Sequence, residues 1–240
     1  MHVVDLGFAL VALALLVGAV VQGCIGFGMV VIAFPIVVFV NPELMPQTTL
    51  VASMPITFLN AYKNRGDADY REVGWLAAGR IPGMLGGLAL VSAFERSTLA
   101  LGGGLVVLVA VALSIWAPSL KRNVPTMLAV GGISALFGTA IGIGGPPLGL
   151  LYQHETGARL RSTISVIMLT GAPISLMLLA VAGHLSRADV ATGAALAPFA
   201  VVGALLAPRF TRWFDDRMRM TVLVICAATS VVAMADLLIG

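Results

Sequence analysis

The sequence predicts an all-α polytopic membrane protein made of two inverted-topology repeats, and three observations carry that prediction. Of 240 residues, 59% are hydrophobic and only 10% are charged, with a mean hydropathy of +1.02. A soluble domain carries roughly 25% charged residues to coat its surface, so the exposed surface of this chain must face lipid. The apolar residues gather in runs close to the ~20 residues an α-helix needs to cross ~30 Å of hydrocarbon. Two of these runs are interrupted by nearly the same residues, Ile25-Gly26-Phe27-Gly28 and Ile141-Gly142-Ile143-Gly144-Gly145-Pro146-Pro147.

Polar punctuation divides the chain into apolar runs at about 5–22, 27–40, 47–62, 71–93, 97–117, 125–140, 146–153, 160–182, 188–207 and 218–239. The runs beside the two glycine stretches are shorter than a full span. All are expected to be helical, because lipid-exposed backbone must satisfy its own hydrogen bonds. A β-barrel would alternate apolar and polar residues, and that alternation is absent. The first run follows Met-His-Val-Val-Asp without a basic leader, so it reads as a membrane segment rather than a removable signal.

Orientation follows from the positive residues. Let 5–40 and 125–153 each enter and leave on one side, and let the other six runs cross once. One side then carries Lys63, Arg65, Arg71, Lys121, Arg122, Arg159, Arg161, Arg209, Arg212, Arg217 and Arg219, and the other only Arg96 and Arg187. Arg80 stays inside a run. The positive-inside rule then places both termini outside the cytoplasm. Under this count the second half enters the membrane upside down relative to the first. At an offset of 116, Ile25, Gly26 and Gly28 fall on Ile141, Gly142 and Gly144, and Gly86 pairs with Gly203 after a one-residue gap. The repeats are taken as 1–118 and 119–240.

Interrupted apolar segments at corresponding places in two inverted halves are the sequence pointer to a transporter's substrate site. Glycine admits backbone angles closed to other residues, and proline removes a donor. New helix N-termini inside the protein would present free N–H groups and partial positive charge, which suit an anion. New runs begin after Gly28 and after Gly145, with Pro146 and Pro147 suited to a first helical turn. Gly79, Gly83 and Gly87, spaced by four, read instead as close helix packing, and Gly102 to Gly104 read the same way.

The stretches Gly-Cys-Ile-Gly-Phe-Gly-Met-Val-Val-Ile-Ala-Phe-Pro (23–35) and Phe-Gly-Thr-Ala-Ile-Gly-Ile-Gly-Gly-Pro-Pro (137–147) resemble the paired signatures of the TauE/SafE family, the sulfite-exporter or TSUP transporters. The likeness extends over the whole chain in length, repeat structure and motif placement. It implies two related halves, a bacterial inner-membrane location, and movement of sulfite, organosulfonates or related sulfur anions. Carried over, the motif positions are Gly26, Gly28 and Pro35, and Gly142, Gly144, Gly145 and Pro146. The first copy departs from the commoner glycine run in having Met29.

With Gln22, Phe27 and Arg80, these motif positions make up the candidate substrate-binding residues. Arg80 lies nine positions inside its run, about 13 Å deep at ~1.5 Å per residue. A charge at that depth is a functional candidate, either as a guanidinium fork for a sulfur oxyanion or as a side chain that snorkels to the cytoplasmic surface or bonds a carbonyl freed near Pro82. Gln22 borders the first break, where it would donate to an anion or satisfy unwound backbone. Cys24 reads as a packing residue. His154 closes the second broken segment and is the titrating candidate for ion coupling. Trp75, Trp116 and Trp213 lie near run ends as interface anchors, and Asp236 lies near the outer end of the last run.

Several classes are excluded. The basic residues form short loops rather than a patch, so no nucleic-acid partner is expected. Cys24 and Cys226 lack disulfide or metal spacing, and no cofactor is called for. Three scattered histidines with no His-Glu-x-x-His pattern make an enzyme unexpected. No phosphate-binding Gly-x-x-x-x-Gly-Lys-Ser/Thr sequence occurs, so the driving force would be a proton, sodium or substrate gradient. The predicted function is secondary transport, in the exporting direction by the resemblance, of a small anionic substrate through the lipid bilayer by alternating access. A passive anion channel or a non-transporting scaffold remains the alternative, and the sequence sets no oligomeric state.

Overall fold

The computed structural model describes residues 2–25, 28–116, 120–152, 158–210 and, of the last segment, 227, 228, 230–232, 234 and 235. Among these the regular structure is helical: α1 (His2–Ile25), α2 (Met29–Val40), α3 (Gln47–Asn64), α4 (Tyr70–Ala93), α5 (Arg96–Trp116), α6 (Val124–Ile141), α7 (Gly145–Leu151), α8 (Ala158–Val181) and α9 (Arg187–Phe210), with two short 3-10 turns. These follow the apolar runs in order. The run at 218–239, and with it Cys226 and Asp236, falls largely or wholly outside the described residues, as does Trp213.

Helices α4, α6 and α9 start where a short polar side chain takes up unpaired N–H groups. Asp69 accepts from Arg71 N and Glu72 N to open α4, and Asn123 accepts from Thr126 N to open α6. Ser186 and Asp189 bond each other's backbone N–H at 3.0 and 2.9 Å, a reciprocal cap for α9. In the connection before α4, the Asp69 carboxyl is held below its usual range by the Glu72 N–H first, with the Arg159 side chain and the Arg71 N–H adding to this. A lowered folded-state value means the cap contributes fully above the ordinary carboxylate range and fades as pH falls below it. Asp69→Ala should therefore cost about 1 kcal/mol at neutral pH. The gap to wild type, read as melting temperature, should narrow at pH 3.

Six described helices, α1, α4, α5, α6, α8 and α9, are long and apolar enough to cross a membrane. Helix α3 has the length but not the composition. Its Gln47, Thr48, Thr49, Ser53, Thr57 and Asn60 are buried, because α8 and α9 pack over it. The two broken pairs are hairpins. Gly7 at the start of α1 sits against Val40 at the end of α2. Glu72 is reached both by Arg122, just before α6, and by Tyr152, just after α7.

Close backbone contact holds the main helix pairs together. Along α4, Gly79, Gly83 and Gly87 meet the backbone of α6 at Leu128, Gly132 and Leu136, and Gly131 of α6 meets Leu76 in return. A Cβ at any of these four would collide with a carbonyl. Small residues at this spacing let helices approach closely where lipid offers no hydrophobic drive, as the sequence predicted for 79, 83 and 87. A second pair, α1 with α9, uses Gly203 against Leu16 and Gly23 against Ala207. Of the run at 102–104, Gly103 receives the Phe34 ring, whereas Gly102 faces open space.

Both ends of the bundle carry charged clusters. At one end Glu72 pairs with Arg122 at 3.7 Å and accepts from the Tyr152 hydroxyl at 2.6 Å, while Asp69 pairs with Arg159 at 2.8 Å. At the other end Arg96 contacts Asp189 at 3.4 Å and Glu43 at 3.6 Å. Thr48 there donates to Asp189 at 3.3 Å.

Candidate functional site

The two breaks are built differently. Gly28 precedes α2 with φ 113°, a backbone state that any Cβ would strain. The N–H of Met29, first residue of α2, donates to Gln22 Oε1 at 3.2 Å. Gln22 therefore satisfies unwound backbone, the second of the two roles its position allows. At the other break Gly142 ends α6 in the left-handed region, φ 76°, and the Ile143 N–H returns to Phe137 O at 3.2 Å. That is the glycine helix stop in which C-terminal carbonyls recover donors. Helix α7 then starts at Gly145 with Pro146 and Pro147 in its first turn.

These details weaken the helix-end contribution to anion binding. One α2 donor is already bonded to Gln22, α7 has seven residues, and its two prolines carry no N–H.

A cavity of about 60 Å³ lies where the breaks meet. Gln22, Gly28, Val30 and Val31 line it from the first half, with Leu50, Ser53 and Thr57 of α3 and Arg80 of α4. Gly138, Gly142, Ile143, Gly144 and Gly145 line it from the second half, with Met168, Ala172 and Ser175 of α8. Six residues singled out in the sequence thus come together here: Gln22, Gly28, Arg80, Gly142, Gly144 and Gly145. Pro35 lies elsewhere, buried in the middle of α2, where it denies Val31 O its helical donor. Pro146 turns to an apolar cavity against α5 and α6. Gly26, Phe27 and His154 lie outside the described residues.

Arg80 is 4% exposed, so it does not snorkel to a surface. Its Nη1 donates to Ser134 Oγ at 3.2 Å, and its Nε has no acceptor. Gly171 of α8 makes room for it, since a Cβ there would overlap the guanidinium. The ion pairs among the described residues are Arg96 with Glu43 and Asp189, Arg122 with Glu72, and Arg159 with Asp69. None includes Arg80. A buried charge without a counter-ion costs several kcal/mol even after relaxation, so this one calls for a compensating partner.

Sequence reasoning missed the hydroxyls of the cavity wall. Thr57 donates to Ser53 O at 2.8 Å, and Ser175 shares a 2.7 Å bond with Thr139. A signal for two of them exists: Pro55-Ile56-Thr57 recurs as Pro173-Ile174-Ser175, once in α3 and once in α8. Ser134 has no such signal, because a lone serine in an apolar run marks nothing.

A multi-pass helical bundle with two helix breaks meeting at a buried cation defines a membrane protein with an internal polar site, the architecture of a solute carrier. Across residues 10–233, nearly its whole length, the chain matches the model of the sulfite exporter TauE/SafE family. It belongs to that family of membrane transporters. No curated protein and no solved structure gives a match to it.

Proposed function

We propose that this chain is a secondary transporter that exports small sulfur oxyanions, sulfite or an organosulfonate, across the bacterial inner membrane, binding them at Arg80 in the central cavity. The observation that carries the reading is the buried guanidinium with no carboxylate partner among the described residues, placed where both breaks converge. A sulfur oxyanion supplies the missing charge and acceptors that match a guanidinium fork. Family membership supports the substrate class.

The mechanism we propose is alternating access, with halves 1–118 and 119–240 rocking about the breaks and driven by a proton, sodium or substrate gradient. Two features support the inverted repeat. The tightly packed pairs α1–α9 and α4–α6 exchange the same two helix types between halves, and the Pro-Ile-hydroxyl triplet recurs in α3 and α8. The charged clusters at the two ends suit gates that open one at a time. In this reading the end holding Asp69, Glu72, Arg122 and Arg159 faces the cytoplasm, with both termini outside.

The test is sulfite flux in proteoliposomes, with melting temperature followed against sulfite, thiosulfate, taurine, isethionate, sulfoacetate, acetate and chloride. A ligand that binds only the folded state raises the melting temperature with saturation. Saturable flux and a saturable shift with a sulfur oxyanion are expected, both lost in Gly144→Leu, whose side chain would press on Ser134 O. Flux that never saturates would make the protein a channel. No flux and no shift with any of these anions would sink the reading.

A further inference from the structure

Ser134 on α6 is fully buried, and its hydroxyl makes two bonds that fix its proton. A guanidinium can only donate and a carbonyl can only accept. The Ser134 proton therefore goes to Gly144 O at 2.6 Å, and the Ser134 oxygen receives Arg80 Nη1 at 3.2 Å. The result is a chain of bonds from the second break, through one hydroxyl, to the cation of the cavity.

This differs from the helix hydroxyls that bond within their own turn. Ser53, Thr57 and Ser92 donate to carbonyls three or four residues back in their own helices, at Leu50, Ser53 and Leu88, the habit of serine and threonine within a helix. Ser134 instead reaches a carbonyl ten residues ahead, beyond the end of its helix. Among the described residues no other hydrogen bond holds the Arg80 guanidinium. On its far side Gly171 offers only bare backbone.

We infer that Ser134 is a positioning residue for anion binding: it aims Arg80 into the cavity and ties the guanidinium to the backbone of the second break. The occupancy of the cavity and the geometry of residues 142–145 are then linked through one side chain. The inference rests on Arg80 being the anion-binding group, and the experiment separates the two ideas.

Sulfite transport kinetics and sulfite-dependent melting are measured for Ser134→Ala, Ser134→Thr and Arg80→Ala in proteoliposomes and detergent. Losing a hydrogen bond to a charged group should raise the KM of Ser134→Ala about tenfold, with maximal rate within about twofold. The sulfite concentration needed for half the melting shift should rise in parallel. Ser134→Thr, which keeps the hydroxyl, should recover most of the affinity. A purely structural serine would lower the melting temperature without sulfite and leave both KM and the titration midpoint unchanged, and that result overturns the inference. Should Ser134→Ala fail to fold, Ser134→Cys, with a weaker acceptor of similar size, goes through the same titration with the same criterion. Unchanged KM in Ser134→Ala with transport lost in Arg80→Ala removes the positioning role alone. Unchanged KM in both removes the anion site itself.

Discussion

Arg80→Met should abolish anion transport and, in the same preparation, raise the melting temperature of the protein without ligand. The two effects have one cause. Arg80 is 4% exposed, with one bond to Ser134 Oγ and a bare Nε. Its burial is therefore poorly compensated when the cavity holds no anion. Replacing buried ionic groups with apolar side chains of similar volume is commonly neutral or stabilising by about 1–4 kcal/mol. Ser134 keeps Gly144 O as its acceptor, so methionine strands no hydroxyl. Transport should suffer far more. Two charge-assisted hydrogen bonds to an oxyanion, at about 1.5–3 kcal/mol each, correspond to a loss of roughly 100-fold or more. Arg80→Lys keeps the charge without the planar fork and should fall between. Proteoliposome flux and a melting curve on one batch decide the matter. Retained flux removes Arg80 from the binding site. A fall in stability would mean that the charge is compensated by groups beyond those bonded to it here.

Gly83→Val should prevent the protein from accumulating as a folded species, whereas Gly102→Ala should be harmless. Gly83 lies against the backbone of Gly132, and a Cβ there collides with the carbonyl, its carbon and the Cα together. Backbone cannot step aside as the tip of a side chain can, so α4 and α6 would separate along the face that carries Gly79, Gly87 and Gly131. Overpacking of a well-packed interior typically costs about 1–3 kcal/mol. A collision repeated by the larger valine should exceed that. Gly102 has no heavy atom within 4 Å of a built Cβ, and alanine there should gain up to about 1 kcal/mol in helix propensity. Yield and a single symmetrical peak on size exclusion are the readouts. A normal, monodisperse Gly83→Val protein would show that the α4–α6 contact is not what holds the bundle together.

The order and approximate ends of the described helices were legible in the sequence because they depend on local chemistry. Hydropathy over about 20 residues and the φ freedom of Gly28 and Gly142 act within a turn or two of the chain. Both breaks could be read for the same reason. So could the packing role of Gly79, Gly83 and Gly87, since their spacing alone puts them on one stripe. Helix α3 is a partial exception. Its position was readable, but its polar stripe is explained only by the helices that cover it, α8 and α9.

The chemistry of the cavity depended on contacts between distant residues. The expected pair of free helix N-termini looks different once Gln22 is seen to bond Met29 N, and once α7 proves to begin with two prolines. Arg80 was recognisable as a charge inside an apolar run, but a sequence does not say whether a buried charge has a counter-ion. That question turned on Ser134, 54 residues away, and on Gly171 of α8. Patterns of length, hydropathy and glycine spacing are properties of one segment and survive in a linear reading. Whether a donor is used, shared or left bare is a property of which helix faces face each other, and it exists only after the bundle has packed.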